Sequence, residues 1–90
     1  MEPVYSVTLQ IVNDLGLHAR AAAKLAKLAA KANSGVWVMK NGNTADAKSM
    51  LDILTLVCPK GTEITVCVDD TSDLNTLERI EALVRSGFGE

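Results

Sequence analysis

An α+β fold is what this sequence predicts: a two-layer sandwich, its four-stranded antiparallel sheet covered on one face by two longer helices and one short helix, in the order β-α-β-β-α-β-α. Three observations predict it. Apolar residues alternate with polar ones from Tyr5 to Ile11 and again from Glu63 to Val68, the period of strands with one dry and one wet face. Two stretches, Ala19 to Ala32 and Leu74 to Val84, carry apolar residues at helical spacing instead. An Asn-Gly pair at Asn41-Gly42 separates two short runs, and that dipeptide supplies the positive φ angles of a tight hairpin turn. Ninety residues suffice for one domain, spanning 1–90, with a small core and no second domain.

The elements follow in order. Tyr5, Val7, Leu9 and Ile11 form the dry face of the first strand. In the first helix Ala22, Leu25, Ala26, Leu28, Ala29 and Ala32 make one apolar stripe, and Arg20, Lys24, Lys27 and Lys31 take another side. Its end is expected near Asn33-Ser34-Gly35, through a residue suited to positive φ. Val36–Lys40 and Thr44–Ala47 pair as the hairpin. A short helical segment lies within Ser49–Val57, and the dipeptide Cys58-Pro59 ends it, because proline disfavours helical geometry in the residue before it. Glu63–Val68 is the fourth strand, with Cys67 on the open side of the sheet. The last helix starts after Thr71-Ser72, either of which suits a cap, and runs through Leu74, Leu77, Ile80, Leu83 and Val84 to Gly87.

Composition excludes several function classes. The chain is 48% hydrophobic and 22% charged, with no low-complexity tract, so a folded domain is expected rather than disorder. A net charge of −2 and 3% aromatic residues give neither attraction nor stacking platforms for nucleic acid. No apolar run approaches a bilayer span, the alanine-rich helix lacks an aromatic anchor for a membrane surface, and the Met-Glu-Pro start lacks a basic leader; a cytoplasmic protein is expected. Cys58 and Cys67 make no C-x-x-C pair, and one histidine cannot complete the usual zinc ligand sets. Reduced thiols are expected, with no metal and no cofactor.

The chemistry concentrates in NDLGLHAR, Asn13 to Arg20, which holds the only histidine. A helix begins with unpaired N–H groups and a partial positive charge, so its first turn attracts anions. His18 stands at that doorway. Gly16 lets the backbone turn sharply before it, and Arg20 offers a guanidinium fork to whatever the imidazole carries. Backbone donors plus arginine match a phosphoryl group best. An unperturbed imidazole, with a pKa of roughly 6.5, is largely neutral near pH 7 and nucleophilic. Phosphorylation on nitrogen gives a labile bond that can be handed on. No phosphate-binding glycine loop or Mg²⁺ site accompanies it, so the phosphoryl donor must arrive with another protein.

The combination of NDLGLHARAAAKLAKLAAKA, NGNTADAKSMLDILTL and PKGTEITV closely resembles HPr, the family of histidine-containing phosphocarriers of the bacterial phosphoenolpyruvate-dependent phosphotransferase system. The likeness runs over nearly the whole chain. It implies an HPr-like open-faced β-sandwich of the element order given above. It also implies a phosphocarrier rather than an enzyme with independent catalysis. His18 is then phosphorylated on Nδ1 by enzyme I, Arg20 steadies the group, and an EIIA domain receives it for sugar uptake or regulation. The AKSML block matches the family segment whose serine an HPr kinase/phosphorylase modifies, which places regulatory phosphorylation on Ser49. Ser49 and Asp52 also form an S-x-x-D capping box.

Two positions depart from the family pattern. Ala21 stands where proline usually follows HAR, loosening the first turn of the helix. Asp52 stands where glycine is common, and its carboxylate would repel a phosphate on Ser49. Arg20, Lys24, Lys27 and Lys31 line one side of the helix leading from His18, a surface for an acidic partner. Met50 and Leu51, with Leu54 behind them, are apolar docking candidates. A monomer is expected, binding neither nucleic acid nor membrane. Two other functions compete: a regulatory effector whose state is set at Ser49, and a small ligand- or RNA-binding module with an incidental motif. Trp37 is expected to be structural.

Overall fold

The computed structural model describes residues 5–90. Its elements are β1 (Tyr5–Gln10), α1 (Ala19–Ala29), β2 (Val36–Lys40), β3 (Asn43–Asp46), α2 (Met50–Leu54), β4 (Glu63–Val68) and α3 (Leu74–Arg85), with 3-10 turns at Thr71–Asp73 and Gly87–Gly89. The strands form one antiparallel sheet in the order β1-β4-β2-β3. This is the β-α-β-β-α-β-α order that the alternating and helical spacings predicted.

Strand alternation sorts the two faces. Leu9, Ile64, Val66, Val68, Val36, Val38 and Ala45 are buried under the helices, against Leu25 of α1, Ile53 of α2, and Ile80 and Val84 of α3. The other face carries Ser6, Cys67, Trp37 and Asp46 in one cross-strand row and Thr8, Thr65, Met39 and Thr44 in the next. Cys67 lies on this open face, as expected. Both thiols are free, and burial pushes Cys58 and Cys67 up from the ordinary thiol range, Asp69 adding to the effect at Cys67. Trp37 donates from Nε1 to Asp69 Oδ1 at 3.1 Å, a structural tie across β2 and β4.

Asn41 and Gly42 take φ of 48° and 84°, the two positive angles that the hairpin requires. Three boundaries differ from expectation. The first helix stops at Ala29, and neither Asn33 nor Gly35 adopts positive φ. The buried carboxylate of Asp73 instead accepts the N–H groups of Asn33 and Ser34 at 2.8 and 2.9 Å, so a residue 40 positions away shapes that exit. Neither Thr71 nor Ser72 caps the last helix: Asp70 accepts from Ser72 N, a 3-10 turn intervenes, and Leu74 is left exposed at the helix start. The capping box at Ser49 is only half closed. Ser49 Oγ accepts from Asp52 N, but the Asp52 carboxylate takes the N–H of Asp46 at 2.6 Å rather than that of Ser49.

One conformation stands out at the end of α2. Val57 takes φ of 53°, a left-handed angle that a β-branched residue adopts only at a cost of order 1–3 kcal/mol. Lys40 holds it there, its Nζ donating to the carbonyls of Leu56 at 3.0 Å and Val57 at 2.5 Å.

Candidate functional site

The site is built where the β1–α1 connection crosses the chain after α2. Leu17 N donates to Cys58 O at 2.8 Å, which fixes the backbone immediately before His18. That approach is possible only because residue 16 is glycine. Its φ is +68°, and a Cβ there would lie 2.5 Å from Cys58 O and 2.9 Å from Pro59 Cα.

His18 is the N-cap residue of α1, with extended backbone, and its side chain makes no cap bond to the helix. The first intrahelical bond is Ala22 N to His18 O. The N–H groups of Ala19, Arg20 and Ala21 therefore have no acceptor within the helix, and no acidic side chain occupies the first turn. Ala21 is fully buried, so α1 starts on a packed turn, and having alanine rather than proline there keeps the third of these donors. The ring is not entombed. Its side chain is 23% exposed, and it lies beside Leu15, Leu17, Leu54, Val57, Cys58 and Pro59 in an open groove of about 290 Å³.

Sequence reasoning missed the residue that touches the imidazole. Glu90 Oε2 bonds His18 Nε2, its Oε1 accepts from Asn13 Nδ2 at 3.2 Å, and Arg20 Nη2 lies 3.7 Å from Oε2. Burial alone would push the Glu90 carboxyl up; the bonds from His18 and Asn13 and the charges of His18 and Arg20 outweigh it and hold the group below the ordinary glutamate range. An ionised carboxylate only accepts, so the Nε2 that faces it carries the proton and the lone pair of a neutral ring sits on Nδ1. No spacing in the sequence could reveal this contact across 72 positions.

A depressed carboxyl pKa means that the contact contributes fully above the ordinary glutamate range and is lost as pH falls through the lower folded value. A Glu90→Gln variant tests the positioning. The ring ¹⁵N shifts of neutral His18 are expected to show one tautomer, protonated on Nε2, in the parent chain and a detectable share of the other in the variant. Identical tautomer ratios would show that Glu90 does not orient the ring.

The other candidates fall in two groups. Arg20, 66% exposed, reaches the same carboxylate as His18, so the two residues converge. Lys24 is half-buried and donates to Phe88 O at 2.7 Å, which turns it from a free docking charge into a tether for the C-terminal turn. Lys27 and Lys31 are exposed and make no ion pair among the described residues. Met50 and Leu51 are exposed on α2, Leu51 by 72%, and Ile53 rather than either of them is the core residue of that helix. Ser49 is half-buried at the α2 N-cap, where its Oγ accepts from Asp52 N.

Comparison with known proteins decides the family. Residues 5–86 match the family described as "PTS HPr component phosphorylation site". The chain belongs to the HPr family. It is 39% identical over 80 residues to the phosphocarrier protein HPr of Cupriavidus necator, covering 89% of this chain and 90% of that one. Against HPr of Neisseria meningitidis the identity is 35% over 83 residues, 92% and 93% of the two chains. The fold superposes on a crystal structure of HPr from Thermoanaerobacter tengcongensis with a TM-score of 0.89 and 32% identity, over 100% and 98% of the chains. The open four-stranded sheet under three helices is thus the HPr fold, and the chain is an HPr phosphocarrier of the phosphotransferase system. Among the described residues no helix is long and apolar enough to cross a membrane.

Proposed function

We propose that this HPr-family chain accepts a phosphoryl group on Nδ1 of His18 from phosphorylated enzyme I and passes it to an EIIA domain. The observation that carries this reading is the pairing of Nε2 with Glu90, which leaves Nδ1 as the nucleophile. As the phosphoryl group transfers, the donor's phosphorus–nitrogen bond breaks while a new one forms at Nδ1. The proton stays on Nε2, where the carboxylate balances the positive charge the ring acquires. The free amides of α1 can then receive the phosphoryl oxygens. Arg20, whose contact to Glu90 is long and exposed, can swing its fork onto the new anion.

The chain serves as a relay whose catalysis resides in positioning. Exposed Lys27, Met50 and Leu51 supply the partner-facing surface, cationic along α1 and apolar along α2. Ser49 modification has weaker support: the hydroxyl already accepts from Asp52 N, and the Asp52 carboxylate lies three residues on. The second reading, an effector set at Ser49, is therefore subordinate.

Phosphoenolpyruvate and enzyme I test the relay directly. The chain is expected to take up an acid-labile, alkali-stable phosphoryl label that mass spectrometry places on His18, and a His18→Ala chain should take up none. Equal labelling of that variant overturns the proposal.

A further inference from the structure

We propose that Asn13 is a positioning residue of this relay, its amide aligning the Glu90 carboxylate with the loop that carries His18 so that Nδ1 stays presented for phosphoryl exchange. The inference rests on the carrier reading above. Asn13 is buried in the connection between β1 and α1, five positions before His18. Its Nδ2 donates one hydrogen to Gly16 O at 2.7 Å and the other to Glu90 Oε1 at 3.2 Å. Gly16 N returns a bond to Asn13 O at 3.1 Å, so the turn that delivers the imidazole closes on this one residue. Its Oδ1 is buried and has no partner among the described residues.

That pattern selects the residue type. Two acceptors, Gly16 O and Glu90 Oε1, converge on one point, and a short primary amide offers two N–H groups from a single atom. A hydroxyl has one donor to give, and an ionised aspartate has none. Turning the amide over would set Oδ1 against both acceptors, so its orientation is fixed. The orphaned oxygen offsets part of what the two bonds contribute, by about 1–3 kcal/mol, so their distinctive product is placement rather than stability.

Hydrogen bonds must do that placing. Glu90 borders an open cavity of about 600 Å³ that it shares with Asn13, Arg20 and Lys24, so packing on that side does not stop its carboxylate from rotating away from Nε2. Arg20 reaches the carboxylate at 3.7 Å from an exposed position, which leaves Asn13 as its buried partner. As the donor's phosphorus–nitrogen bond breaks and the one to Nδ1 forms, the ring gains a positive charge while its proton stays on Nε2. When the group moves on, the Nδ1 bond breaks, the acceptor's bond forms and the ring is neutral again. Arg20 follows the phosphoryl group through this cycle, whereas Glu90 has to stay where the ring charge appears and disappears. Asn13 keeps it there.

Ring ¹⁵N spectra and rapid-quench transfer from phosphorylated enzyme I test the idea in Asn13→Ala, which keeps no donor, and Asn13→Ser, which keeps one. Thermal unfolding run beside them shows that a variant folds, and Asn13→Ser carries the test where Asn13→Ala does not. Neutral His18 is expected to show a detectable share of the Nδ1-protonated tautomer in both. Transfer at saturating carrier should slow about tenfold while the KM for the carrier changes less than about twofold, because the reacting group rather than the docking surface is displaced. A Glu90→Ala background separates positioning from a structural role. There the same substitutions should slow transfer by no more than about twofold further, since Asn13 acts through the carboxylate and the Leu17–Cys58 bond holds the loop without it. A single tautomer, or parent-like transfer, in a folded variant overturns the proposal. Equal slowing with and without Glu90 overturns it too, by making Asn13 a residue of the loop alone. Failure of the parent chain to take label on His18 overturns the carrier reading, and this inference with it.

Discussion

Replacing Phe88 by alanine is expected to cost about 3–5 kcal/mol of folding stability and to release the carboxylate that faces the His18 ring. Phe88 is the largest of the fully buried side chains, although it belongs to a 3-10 turn beyond the last helix. It takes φ of 60°, between Gly87 at 69° and Gly89 at 74°, so three successive left-handed residues fold the chain end back over the core. The packed ring and the Lys24 bond to its carbonyl hold that turn in place, and Glu90 follows directly. A domain of this size has about 5–13 kcal/mol in hand, so a fall in Tm of roughly 15–25 °C is expected in calorimetry. Phe88→Leu, which keeps most of the volume, should lose far less and retain the single His18 tautomer. A Phe88→Ala chain melting within about 4 °C of the parent would mean that the turn does not anchor the fold.

Gly16→Ala is the second large effect, and Gly42→Ala is its control. Both glycines have positive φ, at +68° and +84°. Around Gly42 nothing lies within 4 Å of a new Cβ, so only the conformational cost remains, about 1 kcal/mol. At Gly16 the Cβ meets the backbone of Cys58 and Pro59 at 2.5 and 2.9 Å, and neither is a flexible side-chain tip. The Leu17–Cys58 bond must stretch or break, and His18 shifts with it. A loss of about 2–4 kcal/mol by urea unfolding is expected, with phosphoryl acceptance at least about tenfold slower, since small displacements of a reacting group are costly. Equal effects at the two glycines would remove the steric argument.

The two variants probe opposite kinds of information. Gly16 was legible: a glycine two residues before the lone histidine at a helix start points to a sharp turn, and the structure supplies the chain that crosses there. Phe88 and Glu90 were not legible. Nothing in their type or spacing tells a buried plug and a histidine partner from a frayed terminus, because their roles depend on where a left-handed turn delivers them. The tether made by Lys24 was not legible for the same reason. Helical spacing put it correctly on the Arg20–Lys31 side of α1, but its partner is a backbone carbonyl 64 residues on.

By itself the sequence determined the element order, the faces of the strands and the hairpin turn, because each follows from the period of apolar residues or from the φ that a local pair permits. It also placed the lone imidazole, the proposed phosphoryl acceptor, at a helix start. Only the tertiary structure decided which ring nitrogen is left free, how Asp73 holds the chain beyond the first helix, and that a strained valine flanks the histidine. Those outcomes depend on contacts across 16 to 77 positions of chain, and such contacts leave no periodic trace in the residues that make them.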